Sequence, residues 1–140
     1  MANEAVIINL LGQPTGEPIR YSCDEDIAIE KGTLMVLSGA QTAAKSANED
    51  FPFLGIAATE YAVDTAVSGA GTIGVWTKGV FDLMVDAAGT VPVVGQLVTL
   101  SGANTITAGA ATDYELGKAV GRALEGGTLN TACAVAVGLY

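Results

Sequence analysis

The chain has 140 residues, 50% of them apolar, and a formal charge of −9 from 15 acidic and six basic side chains, a length that suits one domain or two small lobes sharing a core. The basic residues (Arg20, Lys31, Lys45, Lys78, Lys118, Arg122) stand singly, which disfavours nucleic-acid binding and attraction to an anionic membrane. No apolar run approaches the roughly 20 residues needed to span a bilayer.

Residues 1–26 differ from the rest. The start, Met-Ala-Asn-Glu-Ala, has no basic segment ahead of an apolar core, so a soluble cytoplasmic product without a signal peptide is expected. Val6, Ile7, Ile8, Asn9, Leu10 and Leu11 then form a largely apolar run with β-branched residues, followed by Gly12, Pro14, Gly16 and Pro18 and the acidic cluster Asp24, Glu25, Asp26. Proline cannot donate to a central ladder, so this region reads as an extended N-terminal arm or edge segment. Residues 6–11 have two readings: the first core strand, or an arm that pairs with a sheet of a neighbouring subunit.

From residue 27 to residue 140 the chain alternates strand and turn, which predicts an all-β domain. Strand-like runs cover residues 34–37, 53–58, 72–77, 80–85, 97–100, 116–124 and 132–139. Between them stand Ser38-Gly39, Ser68-Gly69, Lys78-Gly79, Ala88-Gly89, Ser101-Gly102 and Gly126-Gly127. Residues 40–48 and 108–113, rich in Ala and Thr without an apolar stripe, read as loops or at most one helical turn.

An internal repeat runs through this region. Gly32-Thr-Leu-Met-Val-Leu-Ser-Gly-Ala-Gln-Thr42 aligns with Gly95-Gln-Leu-Val-Thr-Leu-Ser-Gly-Ala-Asn-Thr105. Leu54-Gly55-Ile56-Ala57 aligns with Leu116-Gly117-Lys118-Ala119, and the segment from Val75 to Phe81 with that from Val135 to Tyr140, one residue dropped. The nearly constant offset predicts two related β-units, about residues 32–81 and 95–140, closing into a barrel or sandwich in which each hides the other's edges.

Chemistry finds few footholds. The chain has no histidine, which removes Ser-His-Asp and Cys-His machinery and imidazole metal ligation. Cys23 and Cys133 are far apart and outside any CxxC spacing; they read as two reduced thiols, with a disulfide between them as the alternative. Gly69-Ala-Gly71-Thr-Ile-Gly74 fits a bare GxGxxG, but it leads into a strand at Val75-Trp76 where a dinucleotide site needs a helix. The carboxylate pairs Glu49/Asp50, Asp82/Asp86 and Asp113/Glu115 read as solvated faces, with glycosidase-type acid/base work as the sharper alternative. Asp24, Glu25, Asp26 and Glu30 lack the calcium-loop pattern. Trp76 and Phe81 bracket Lys78-Gly79 as a hairpin whose aromatics sit either in the core or at a subunit interface. The expectation is a structural protein that binds other protein subunits, with no enzyme activity, cofactor or metal.

Taken in order, the pieces resemble the small capsid cement, or head decoration, proteins of tailed bacteriophages. The resemblance rests on the Gly-Thr-Leu-Met-Val-Leu strand, Phe53-Leu-Gly-Ile-Ala57, Trp76-Thr-Lys-Gly-Val-Phe-Asp-Leu83 and Val94-Gly-Gln-Leu-Val98. Leu116-Gly-Lys-Ala-Val-Gly-Arg-Ala-Leu124 and Ala134-Val-Ala-Val-Gly-Leu139 complete it, so that it covers about residues 27–140. It implies a β-barrel or β-tulip and homotrimers at threefold and quasi-threefold positions on the capsid exterior, after synthesis in the host cytoplasm. There they would clamp the major capsid protein and stabilise the expanded head. The family's capsid-reaching arm would correspond to residues 2–22, with Val6, Ile7, Ile8, Asn9, Leu10 and Leu11 as its binding segment. The rival reading is an adhesion, receptor- or glycan-binding module of a virion or cell surface.

Overall fold

The structure is a computed structural model and describes residues 4–9, 18–47, 51–63 and 71–140. It opens with strand β1 (Val6–Asn9). Strands β2 (Ile19–Cys23), β3 (Leu34–Gly39), β4 (Thr42–Lys45), β5 (Phe53–Ala57) and β6 (Gly71–Trp76) close a barrel in the order β2-β4-β3-β5-β6. Strands β7 (Gly79–Val85), β8 (Leu97–Gly102), β9 (Thr105–Ala108), β10 (Ala119–Ala123) and β11 (Ala132–Val137) follow, with the short helix α1 (Ala111–Glu115) between β9 and β10. They form the row β7-β11-β10-β8-β9, and the pairing of β7 with β9 closes it into a second five-stranded barrel. The all-β expectation holds, with each unit closing its own ring.

The two rings have one wiring. β2 runs parallel to β4 as β7 does to β9, and the remaining ring pairs are antiparallel in both. The registers carry the match down to residues. Ile19 faces Val75 as Phe81 faces Val135, and Met35 faces Gly55 as Val98 faces Gly121. Gly32 and Gly95 both adopt positive φ, +89° and +80°, and their amides donate to the carbonyls of Ala57 and Ala123.

The sequence repeat is thus a structural duplication with different bounds. The copies expected over residues 32–81 and 95–140 span residues 19–76 and 79–137, because β2 and β7 are the first strands of their rings. Closure by a parallel pair leaves no free edge on either ring to be hidden by the other. One alignment also shifts. The counterpart of Leu54-Gly55-Ile56-Ala57 is Val120-Gly121-Arg122-Ala123, not Leu116-Gly117-Lys118-Ala119. A Cβ on Gly55 would fall against the carbonyl oxygen of Trp76, and one on Gly121 against that of Ala136, two residues that occupy the same register position.

The expected arm, residues 1–26, likewise gives up Ile19–Cys23 to the first barrel, where it pairs with β6 and β4. Pro18 precedes the strand, so its missing donor falls outside the ladder. β4 lies where a loop was expected, and β9 lies in a stretch to which no strand was assigned, overlapping the expected loop over residues 108–113 only at Ala108. Their pairing with β3 and β8 is imposed by turns at Gln41 and Asn104, both in the left-handed region at φ 49° and 57°.

Cys23, Ile29, Met35, Ala43, Ile73 and Val75 fill the first barrel. Leu34 and Val36 flank Met35 and project to the other face, as strand alternation requires. With Ile56 they join Phe81, Leu83, Val98, Leu100 and Val135 in one buried cluster that spans both barrels. A polar link reinforces it: the Asn104 side-chain oxygen accepts from the Leu34 amide at 2.9 Å, and the Asn104 amide donates to Ser46 Oγ at 3.0 Å.

Candidate functional site

The arm segment lies on the second barrel. β1 runs antiparallel along the first part of β7, with Val6 opposite Asp82 and Ile7 opposite Phe81, while β9 takes the far part of the same edge at Met84 and Val85. β1 is therefore an added strand on a ring that is already closed. Its root is fixed: the Ala5 amide donates to the Gly32 carbonyl at 2.6 Å, and Ala5 packs on the shared core. Beyond the root, Val6 is 61% exposed and Ile7 36%. Ile8 and Asn9 continue the strand backbone, and Leu10 and Leu11 lie outside the described residues. Partial burial and the neighbouring Glu4 carboxyl push the Glu30 pKa up beside this root.

Trp76 and Phe81 mark the junction between barrels. The hairpin expected around Lys78-Gly79 is absent because β6 and β7 belong to different rings; residues 77–78 simply carry the chain from one to the other. Phe81 is fully buried, and the half-buried Trp76 packs on the shared core with ring centroids 6.0 Å apart. Lys31 Nζ stands 5.6 Å from the Trp76 ring centre, within cation–π range.

The chemistry-bearing groups are built into the fold. Cys23 and Cys133 are free and buried, one in each barrel. Burial pushes both thiols up, helped by Asp24 at the first and by Glu125 and Asp82 at the second, whereas a reactive cysteine needs the opposite shift. Asp86 accepts hydrogen bonds from the Ser101 hydroxyl and the Ala88 amide, which hold its carboxyl below the usual range. Asp24 makes the equivalent turn in the first barrel, accepting from the Asp26 amide at 2.9 Å. Asp82 sits within β7 opposite Ala134, and Asp113 accepts from the Ala110 amide at 2.7 Å, a helix-start contact.

Glu49, Asp50, Ser68, Gly69 and Ala70 lie outside the described residues, while Gly71–Trp76 is strand β6. Among the described residues no group of acidic or cysteine side chains is arranged to hold a metal, and no helix is long and apolar enough to cross a membrane.

One feature escaped the sequence reading. Around α1, which buries none of its residues, Tyr114 and Tyr140 stand with centroids 5.4 Å apart beside a groove of about 550 Å³ lined also by Leu97, Ala110, Glu115 and Arg122. The signal available was the longer β9–β10 connection, where the second unit departs from the first.

Over residues 13–139 the chain matches the family of phage cement proteins. It belongs to that family. The match takes in both barrels from β2 to β11, so the whole duplicated body is the cement protein's unit. Membership makes it a capsid-binding structural protein of a bacteriophage. No curated protein matches the cement protein's sequence.

Proposed function

We propose that the protein binds the outside of a phage capsid, contacts the major capsid protein, and stabilises the expanded head as a trimer at threefold and quasi-threefold positions. The family match over residues 13–139 carries this reading. The arm gives it a means: β1 holds a short ladder on an already closed ring and leaves Val6 and Ile7 in water, where a capsid surface could cover them. Each backbone hydrogen bond added by strand pairing is worth a net of about 0.5–1.5 kcal/mol, and three arms per trimer would act together through effective concentration. Stabilisation of the shell then follows from binding the assembled head better than its separated subunits.

The test is co-sedimentation with expanded, undecorated heads, combined with image reconstruction. Saturation near one copy per capsid subunit, with density at threefold positions, is expected. Val6→Asp and deletion of residues 2–9 are expected to leave both barrels folded and to weaken head binding by at least about ten-fold. Unchanged saturation by both variants would remove the arm from the mechanism.

A second reading, a glycan- or receptor-binding module, draws on the Tyr114–Tyr140 groove with Arg122 and Glu115. Clear hits on a glycan array, lost in Tyr114→Ala and accompanied by no head binding, would favour it.

A further inference from the structure

The duplication supplies an internal control for surface chemistry. At one end of each barrel the same two loops meet, stitched by Gly32 to Ala57 in the first and by Gly95 to Ala123 in the second. In the first barrel this end carries Asp24, Glu25, Asp26, Glu30 and Lys31. In the second barrel the corresponding positions are Asp86, Ala87, Ala88, Val93 and Val94. Val93 is 62% exposed and Val94 69%, and Leu124 and Leu129 stand half-exposed on the adjoining loop. No Asp, Glu, Lys or Arg occurs from Ala87 to Thr112. One backbone thus presents charge at one copy of this end and exposed aliphatic side chains at the other, which marks the second as a contact surface.

Charge selects the occupant. Each chain carries −9, so two copies repel wherever their acidic surfaces meet. A contact between copies is forced onto surface where charge is sparse, and the loop end of the second barrel is such a surface: its charged groups are Asp86, tied to Ser101 and Ala88, Glu125 at the rim, and Arg122, which donates to the Gly95 carbonyl at 2.9 Å. A partner of different charge would place no such demand. We propose that Val93, Val94, Leu124 and Leu129 form the surface through which copies of this chain contact one another; the inference rests on the trimeric reading above.

The test transplants the first barrel's own solution. V93E/V94K gives the second barrel the Glu30-Lys31 pair that the same backbone carries in the first; L129E, on the neighbouring loop, is the second variant. Sedimentation equilibrium of the free protein and image reconstruction on decorated heads are compared with the thermal midpoint. A trimeric wild type with folded, monomeric variants is expected. A wild type that is monomeric in solution but clustered in threes on heads supports the inference equally if the variants scatter singly there. Variants that remain trimeric overturn the surface while leaving the trimer standing, and variants that keep the trimer but lose head binding assign the surface to the capsid instead. A wild type found only as isolated copies, in solution and on heads, overturns both readings.

Discussion

Gly55 and Gly121 show how one residue type can be fixed twice by the same backbone. Each lies where a neighbouring strand's carbonyl oxygen occupies the space a Cβ would take. Gly121→Ala is therefore expected to destabilise by about 3 kcal/mol through forced strand separation. Gly95 has open space around it but a φ of +80°, so Gly95→Ala should cost only about 1–2 kcal/mol of left-handed strain. Urea unfolding separates the two; equal losses would show that conformation rather than close approach fixes Gly121. Asp86 makes a pH prediction. Its hydrogen bonds to Ser101 and Ala88 favour the charged form, so its pKa lies below the unfolded value of about 3.9. The stability it contributes is fully present above that value and is lost as pH falls through the lower folded one. Ser101→Ala should raise the Asp86 titration midpoint by NMR, with a stability deficit that is largest near neutrality and shrinks in strong acid. An unmoved midpoint would remove Ser101 from the account.

At the scale of elements, strands with long β-branched or leucine-rich runs were readable, and short ones were not. Residues 34–37, 80–85 and 97–100 announced β3, β7 and β8 through apolar content alone. Thr-Ala-Ala-Lys carries little strand preference, and Thr-Ile-Thr-Ala, though β-branched, is only four residues long; β4 and β9 are set where they are because a left-handed turn residue folds each back on a strong partner. β2 was masked by the prolines ahead of it. Its place as a closing strand dictates where an arm deletion must stop: removing residues 2–9 takes away the added strand and the Ala5 contact at its root but no member of either ring, whereas removing residues 2–22 would open the first barrel. Folded barrels after the short deletion, with head binding reduced, are the expected outcome, and an unfolded product would make β1 part of the fold's own stability.

The whole molecule is two barrels joined by a shared core cluster, the first barrel holding a second cluster of its own. Leu34, Val36 and Ile56 belong by sequence to the first barrel and by packing to the second, and Asn104 binds back across the same boundary. Leu34→Ala is expected to cost about 2–5 kcal/mol and to lower the stability of both barrels in one transition. Trp76 fluorescence and alkylation of Cys133 should report coincident midpoints; separated transitions would show that the barrels are independent.

By itself the sequence determined the all-β class, the duplication, the absence of histidine chemistry and the resemblance to cement proteins, because periodicity, turn residues and repeated motifs are local properties of a chain. Only the tertiary structure decided that each copy closes alone, that Val120-Gly121-Arg122-Ala123 rather than its look-alike Leu116-Gly117-Lys118-Ala119 is the true repeat, and that Trp76 and Phe81 join two barrels instead of two strands of a hairpin. Those outcomes depend on which distant strand supplies a residue's hydrogen-bond partners. Register and ring closure are settled by contacts between segments far apart in sequence, and a local pattern carries no record of them.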